Sequence, residues 1–184
     1  MARVFISLIF LFSFLAIPVA EAREVPKEAF TFDFNVTMLK TERWRENKIH
    51  NAIELLRRVF ASPEFKRKIL NHDYYGRKMF DRNMGLSNWQ IYRRILRGME
   101  KLNPYPNNAM DLEIQFYTDY NSIVLGFTRP NTHTVWINNK YFNKRKPAQI
   151  AASLVHEWLH KVGFGHEFQR TENRNFSVPY GEKL

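Results

Sequence analysis

Two histidines four residues apart, His156 and His160, have the spacing best suited in this sequence to binding a metal ion. On an α-helix this spacing places both imidazoles one turn apart on the same face, so they can bind one ion. Glu157 follows the first histidine and can lean toward the position that a catalytic zinc leaves open for water. There it could accept a proton and later return it to a leaving amine.

A third histidine, His166, can reach the same ion only if the chain turns after His160, because a continuing helix would carry it past the metal. Gly163 can adopt the left-handed conformation that ends a helix, and Gly165 offers a second flexible joint. Residues 156–166 then match the full pattern H-E-x-x-H-x-x-G-x-x-H, which favours a catalytic zinc site over a chance H-E-x-x-H. The predicted metal ligands are His156, His160 and His166, and the predicted cofactor is Zn²⁺, although other divalent ions could bind the same ligands.

The segment around this pattern predicts a helix. Pro147 suits a first helical position, and no Gly or Pro follows until Gly163. The two histidines share a narrow polar stripe with Gln149 and Ser153, whereas histidines that served only the core would lie on the apolar side. That apolar side consists of Ile150, Leu154, Val155, Trp158, Leu159 and Val162.

The pattern resembles that of the metzincin zinc endopeptidases. Residues 163–170, which read G-F-G-H-E-F-Q-R, are most similar to the astacin branch, with GF-x-HE-x-x-R at this place. The resemblance covers about residues 147–180. It implies that the three histidines bind zinc, that Glu157 is the general base, and that an antiparallel edge strand within residues 122–138 pairs with extended peptide.

The chain departs from this family after the third histidine, where metzincins carry a methionine turn under the metal. Every methionine of this chain precedes the motif. In the expected region, residues 177–180 read S-V-P-Y, similar to the astacin turn with its nearby tyrosine but without the methionine. Tyr180 is therefore a candidate zinc ligand or oxyanion stabiliser, and simple packing of the C-terminus is the alternative.

The order of predicted elements indicates an α+β fold, in which a small twisted mixed sheet carries a backing helix and the site helix. The resemblance to metzincins implies that this fold is zincin-like and that its C-terminal subdomain is minimal. Loops are expected at 72–85 and 103–108, and His50 and His133 are expected at the surface. Ser62, before Pro63 and Glu64, predicts a helix start, and Ser87 with Gln90 predicts a capping box for the next helix. On that helix the core is expected to contain Trp89, Tyr92, Leu96 and Met99. The predicted strands are 30–37, 112–116, 122–128 and 132–138, and the predicted helices are 42–60, 62–70, 87–102 and 147–162.

The first 22 residues predict a secretory signal. Arg3 precedes an apolar run over residues 4–19, and Ala20-Glu21-Ala22 is a cleavage signal. An uncleaved membrane anchor is the alternative, but the run is short for a spanning helix. Cleavage after Ala22 would leave residues 23–184 as a single metallopeptidase domain without a membrane span, periplasmic or secreted. The chain contains no cysteine, which fits bacterial export.

The formal net charge of +10 predicts attraction to polyanions such as anionic cell-envelope polymers. No nucleic-acid-binding motif accompanies it, so nucleic acid is a disfavoured partner. The predicted function is that of an exported, monomeric, zinc-dependent endopeptidase that hydrolyses peptide or protein substrates through a metal-bound water, with Glu157 as general base. Two alternatives remain, a peptidoglycan-directed amidase or peptidase and a non-catalytic exported zinc-binding domain. Zinc binding does not require Glu157, so its presence favours catalysis.

Overall fold

The computed structural model describes residues 31–129, 131–167, 169 and 171–181. Within them, a four-stranded mixed sheet combines with six α-helices and one 3₁₀ helix, which confirms the predicted α+β class. The strands are β1 Asp33–Leu39, β2 Ala109–Tyr117, β3 Gly126–Thr128 and β4 Thr134–Asn138. The α-helices are α1 Arg43–Phe60, α2 Pro63–Asn71, α3 Asn88–Leu96, α4 Asn139–Phe142, α5 Pro147–Val162 and α6 Val178–Gly181, and the 3₁₀ helix is Asn173–Phe176.

The strand order of the sheet is β1-β2-β4-β3. β1, β2 and β4 are parallel, and β3 runs antiparallel to β4 at the edge. The carboxyl ends of the three parallel strands therefore meet at one end of the sheet. The described chain contains an antiparallel edge strand within residues 122–138, as the sequence predicted.

One hydrophobic core joins α1 and α5 to the sheet. The apolar face of α1, which includes Ile49 and Leu56, is buried, and so is Trp158 of α5. The Trp158 ring packs on Phe60 at the end of α1, and Phe60 packs in turn on Phe34 of β1. The core and all four strands lie within residues 31–181, so this part of the chain has a hydrophobic interior of its own.

Helices α1 and α2 match the predicted ranges closely, but the prediction for α3 is wrong in two respects. Ser87 and Gln90 form the predicted capping box, yet the helix ends at Leu96 rather than near residue 102. Gly98 follows with φ of +61°, and a Cβ there would lie 2.3 Å from the Ala109 carbonyl oxygen. This close approach of two backbone segments, invisible in the local pattern, stops the helix.

The predicted core face of α3 is also wrong for one residue. Trp89 is 48% exposed, whereas Ile91 and Ile95 supply the buried contacts. Tyr92 and Leu96 are partly buried against the core, so the buried stripe is rotated relative to the prediction. Met99 lies beyond the end of the helix.

The strands differ from prediction at their ends. β1 begins at Asp33, and Phe30, the first residue of the predicted strand, lies outside the described residues. β3 is limited to residues 126–128, because residues 118–125 form a loop fixed by side-chain hydrogen bonds. Residues 72–85 and 103–108 lack helices and regular strands, and His50 and His133 are exposed, all as predicted.

The predicted signal at residues 1–22 lies outside the described residues, so cleavage after Ala22, export and the single-domain boundary at residue 23 remain predictions. No helix among the described residues has the length and apolar character needed to cross a bilayer.

Candidate metal centre

The helix that carries the first two histidines, α5, begins at Pro147 and ends at Val162, as predicted. Gly163 has a φ of +116°, and its N–H donates to the carbonyl oxygens of Leu159 and His160. A side chain is strained at that φ, so glycine at this position lets the chain leave the helix and return. Gly165, the second predicted joint, does not adopt a left-handed φ, so a single glycine makes this turn.

The turn brings His166 to the other two histidines. One candidate ligand atom from each of His156, His160 and His166 lies within 4.8 Å of the other two. The Nε2 atoms of His156 and His160 are 3.3 Å apart. Two nitrogens that each lie about 2.0–2.1 Å from a tetrahedral zinc are separated by about 3.3–3.4 Å. The cluster thus has the dimensions of a metal site, although these dimensions do not identify the ion.

Hydrogen bonds to backbone carbonyl oxygens fix which nitrogen of each ring carries the hydrogen. Nδ1 of His156 lies 3.0 Å from the Pro179 carbonyl oxygen, and Nδ1 of His160 lies 2.8 Å from that of Phe164. Nδ1 of His166 lies 2.8 Å from the carbonyl oxygen of its neighbour Glu167. A carbonyl can only accept, so each Nδ1 donates and each Nε2 presents its lone pair. Two such lone pairs facing each other at 3.3 Å are favourable when a cation lies between them.

The surroundings also keep the histidines neutral. Burial, and to a lesser extent the neighbouring His160, lowers the pKa of His156 to about 3, although its bond to the Pro179 carbonyl opposes the shift. Burial likewise lowers the pKa values of His160 and His166, with contributions from nearby positive charges that include Arg174. Neutral imidazole is the form that binds a metal, so the three rings are ready to act as ligands at neutral pH.

Glu157 follows His156 on α5, and its partly buried carboxyl faces the edge strand. Burial raises the pKa of its carboxyl to about 7, and a hydrogen bond from the Thr128 backbone N–H offsets part of that effect. A carboxyl with a pKa in this range can take up and release a proton at neutral pH. Its assignment as general base remains a prediction.

The edge strand directs backbone groups away from the sheet near Glu157. In an antiparallel pair, successive residues alternate between bonding the partner strand and pointing outward. The Asn138 N–H donates to the Leu125 oxygen at 2.9 Å, so Leu125 bonds the partner strand. In the register of β3 and β4, the backbone groups of Phe127 therefore also face β4, and those of Gly126 and Thr128 face the open edge of the sheet. The bond between Thr128 and Glu157 agrees with this orientation.

A pocket opens beside Glu157, between α5, α4 and the strands β3 and β4. It has about 340 Å³ of empty volume, part of which is open solvent. Its walls are mainly apolar, with Leu125, Val135, Ile137, Phe142, Ile150 and Leu154 among the lining residues. Arg145 and Ser153 also line it, and the Arg145 guanidinium donates to the Ser153 hydroxyl. The pocket presents a mainly apolar surface next to Glu157.

The C-terminal segment forms the other side of the centre, where the family would have its methionine turn. The carbonyl of Pro179 holds His156, and Val178 is fully buried. The Tyr180 ring centroid lies 4.5 Å from that of His156 and 4.8 Å from that of His166. The structure thus places Tyr180 beside the triad, while its catalytic role remains a prediction.

Arg174 is a neighbour of the triad that sequence reasoning missed. Its guanidinium lies 4.5 Å from the Tyr180 ring centroid and donates to the Tyr180 hydroxyl. An isolated arginine in a short polar segment carries no pattern, so only its folded position indicates a role.

The aromatic loop at residues 72–85 supports this C-terminal segment. The Asp81 N–H donates to the Phe176 oxygen at 2.9 Å, and the ring of Tyr74 packs on that of Phe176 at 5.5 Å. On the loop's inner side, His72 stacks on Phe80 at 3.8 Å. The aromatic loop therefore packs against the segment that carries Tyr180.

A buried ion pair behind α5 was also missed. The Lys161 ammonium lies 3.4 Å from a carboxylate oxygen of Glu100, and both side chains are almost fully buried. The Trp158 indole donates to Glu100 at 2.6 Å, and Lys161 donates to the carbonyl oxygens of Asp111 and His133 at 2.7 and 2.9 Å. These bonds fix the helix between His156 and His160 against the sheet.

No family model matches the chain, and neither a curated protein nor a solved structure matches it. The geometry alone supports a cluster of three histidines that could hold a metal ion, with the partly buried Glu157 directly after His156 on α5.

Proposed function

We propose that this protein is an exported zinc-dependent endopeptidase. The observation that carries the proposal is the convergence of three neutral histidines, His156, His160 and His166, with the largely desolvated carboxyl of Glu157 adjacent to His156 on α5. Zinc held by three histidines lowers the pKa of a coordinated water to about 7 and polarises a carbonyl. Export is inferred from the predicted signal in residues 1–22.

In this proposal Glu157 moves the protons. Its carboxylate accepts a proton from the attacking water and returns it to the amine that leaves when the peptide bond breaks. The buried setting that raises its pKa to about 7 makes both transfers accessible near neutral pH. A purely structural metal site would not require a buried carboxyl at this position.

The edge strand and the pocket would hold the substrate. The outward N–H and C=O groups of Gly126 and the outward C=O of Thr128 can bond an extended peptide as an added strand, whereas the Thr128 N–H already donates to Glu157. The apolar pocket beside Glu157 would take one side chain of that peptide. Both features suit a polypeptide substrate.

Tyr180 and Arg174 would stabilise the negative charge that develops on the carbonyl oxygen. The Tyr180 ring lies against two of the histidines, and Arg174 donates to its hydroxyl, which leaves the phenol hydrogen free to point toward substrate. Removing one donor to such an oxygen typically costs about 10²–10³ in kcat. We therefore expect Tyr180→Phe to lower kcat by about that factor while zinc content is unchanged.

The test is cleavage of a mixed peptide library by zinc-loaded residues 23–184, read by mass spectrometry, with Glu157→Gln as the matched control. We expect cleavage with a preference for an apolar residue beside the scissile bond, and none from the control. If the folded, zinc-containing protein cleaves no peptide but releases stem peptides from purified peptidoglycan, the endopeptidase assignment is wrong and the cell-wall alternative holds. If it does neither, the protein is a non-catalytic zinc-binding domain.

A further inference from the structure

The end of the sheet at which β1, β2 and β4 terminate carries a surface distinct from the metal centre. Because these strands are parallel, the segments that follow them meet there, and we call segments 39–48, 118–125 and 139–146 together the carboxyl-end surface. Direct contacts join the three. The Trp44 ring packs on Phe142 at 6.2 Å, and the Lys140 ammonium donates to the Tyr120 oxygen at 2.7 Å.

The carboxyl-end surface exposes a cluster of large apolar side chains. Ile123 is 79% exposed and Tyr120 is 75% exposed. Among the described residues eleven large apolar side chains are exposed, and six of them lie here: Leu39, Trp44, Tyr120, Ile123, Val124 and Leu125. Scattered apolar residues are ordinary on a protein surface, but a cluster of this kind marks a binding surface.

Hydrogen bonds at the base of the loop hold the apolar residues outward. The Asp119 carboxylate accepts the backbone N–H groups of Asn121 and Ser122 at 2.9 and 3.1 Å. The Ser122 oxygen in turn accepts from the Lys140 ammonium at 3.1 Å and from the Tyr141 hydroxyl at 2.8 Å. The three apolar residues that follow Ser122 therefore project from a fixed base.

Basic side chains surround this apolar cluster. The carboxyl-end surface contains eight lysines and arginines and only three acidic residues. Two of the acidic residues are already engaged, since Glu42 contacts both Trp44 and Arg45, and Asp119 bonds the loop backbone. The third is Glu46. Four of the basic side chains are engaged as well, since Lys48, Lys140 and Arg145 donate to backbone oxygens and Arg45 packs on the Trp44 ring. The other four, Lys40, Arg43, Lys144 and Lys146, are exposed, so the surface is positive around an apolar tip.

We propose that the carboxyl-end surface binds the anionic face of a lipid bilayer. Ile123 and Val124 would enter the boundary between headgroups and acyl chains, and Trp44 and Tyr120 would lie at headgroup level. The exposed basic side chains, Lys40, Arg43, Lys144 and Lys146, would contact lipid phosphates. A soluble polyanion could bind the basic side chains, but it has no apolar interior in which Ile123 and Val124 could be buried. The combination of apolar tip and basic surround therefore favours a bilayer.

Such docking would place the edge strand close to the membrane. β3 begins directly after Leu125, and Leu125 also lines the pocket beside Glu157. Polypeptides at the membrane surface would then lie close to the edge strand and to the metal centre. Binding itself would not require catalysis, because no residue of the triad belongs to the carboxyl-end surface.

The test is partition of residues 23–184 onto vesicles of phosphatidylcholine with phosphatidylglycerol, measured by co-sedimentation, against vesicles of phosphatidylcholine alone. Residues 1–22 are omitted because their apolar run would itself bind lipid. We expect partition onto the anionic vesicles that weakens at high salt. Ile123→Ser with Val124→Ser should lower it by roughly tenfold or more, and Arg43→Gln with Lys144→Gln by roughly tenfold.

Two matched controls change similar residues elsewhere. Tyr105 is 79% exposed in the loop that precedes β2, at the opposite end of the sheet, so Tyr105→Ser should bind like the wild type. Arg58→Gln with Arg93→Gln removes two exposed charges, one at the end of α1 and one on α3. This variant should lower vesicle partition much less than Arg43→Gln with Lys144→Gln does.

The proposal is wrong if the wild type does not partition onto anionic vesicles, or if Tyr105→Ser loses as much binding as the Ile123 and Val124 variant. It is equally wrong if that variant binds like the wild type while the charge variant does not, because the surface would then bind polyanions in general. Circular dichroism of each variant confirms that the fold is intact.

Discussion

The buried ion pair behind the site helix allows a sharp test of how the fold positions the metal centre. Replacing Glu100 with Gln keeps an oxygen that can accept from the Trp158 indole but removes the charge opposite Lys161. The Lys161 ammonium would remain buried, bonded to two carbonyl oxygens but without its counter-ion. Breaking one partner of a buried pair typically costs about 3–5 kcal/mol, and the retained carbonyl bonds favour the lower end of that range.

The assay is urea unfolding of residues 23–184 with zinc removed by a chelator, so that metal binding does not contribute to the free energy of unfolding. We expect Glu100→Gln to lower that free energy by about 3 kcal/mol with an unchanged dependence on urea concentration. Adding Lys161→Met to the same chain should recover much of the loss, because the uncompensated charge is then gone.

The matched control is an exposed ion pair on α1. Glu54 and Arg57 lie 3.3 Å apart, and their side chains are 68% and 44% exposed. Glu54→Gln should change the free energy of unfolding by less than about 0.5 kcal/mol. If Glu100→Gln costs no more than Glu54→Gln, or if adding Lys161→Met makes the protein less stable still, the pair does not hold α5 as the contacts indicate.

Three further outcomes follow from the site. His156→Ala should abolish stoichiometric zinc binding, measured by metal analysis after dialysis, because two ligands remain where three converge, and retained stoichiometric zinc would contradict the ligand set. Gly163→Ala should lower the free energy of unfolding by about 1–2 kcal/mol, because the Gly163 φ of +116° strains any side chain. An unchanged melting temperature would show that the turn does not need glycine. Pro179→Ala should leave zinc affinity unchanged, because the bond to His156 uses the Pro179 backbone oxygen, and a large loss of affinity would show that the ring itself shapes the floor.

Much of the metal centre could be predicted because its geometry depends on residues that lie close together in the sequence. Helical spacing sets His156 and His160 on one face, and one glycine ends the helix so that His166 can return. Local rules also predicted the Ser62 cap of α2 and the capping box of α3, which the structure confirms.

The remaining features depend on contacts between distant segments, which spacing does not reveal. The end of α3 depends on Gly98 meeting the backbone at Ala109, and the partner of Lys161 is a glutamate in a separate loop. The support of the tail by the aromatic loop likewise joins residues about a hundred positions apart, such as Tyr75 and Asn173. A role for Arg174 is visible only from its contact with the Tyr180 ring in the folded chain.

The most direct test of the central claim compares wild type and Glu157→Gln at equal zinc occupancy. Both proteins are loaded with zinc, their metal content is measured, and their rates are compared on one peptide that the wild type cleaves. The account predicts one zinc per chain in both proteins and a rate at least about 10²-fold lower in the variant, because Glu157 carries the proton transfers. Cleavage by Glu157→Gln at the wild-type rate would contradict it.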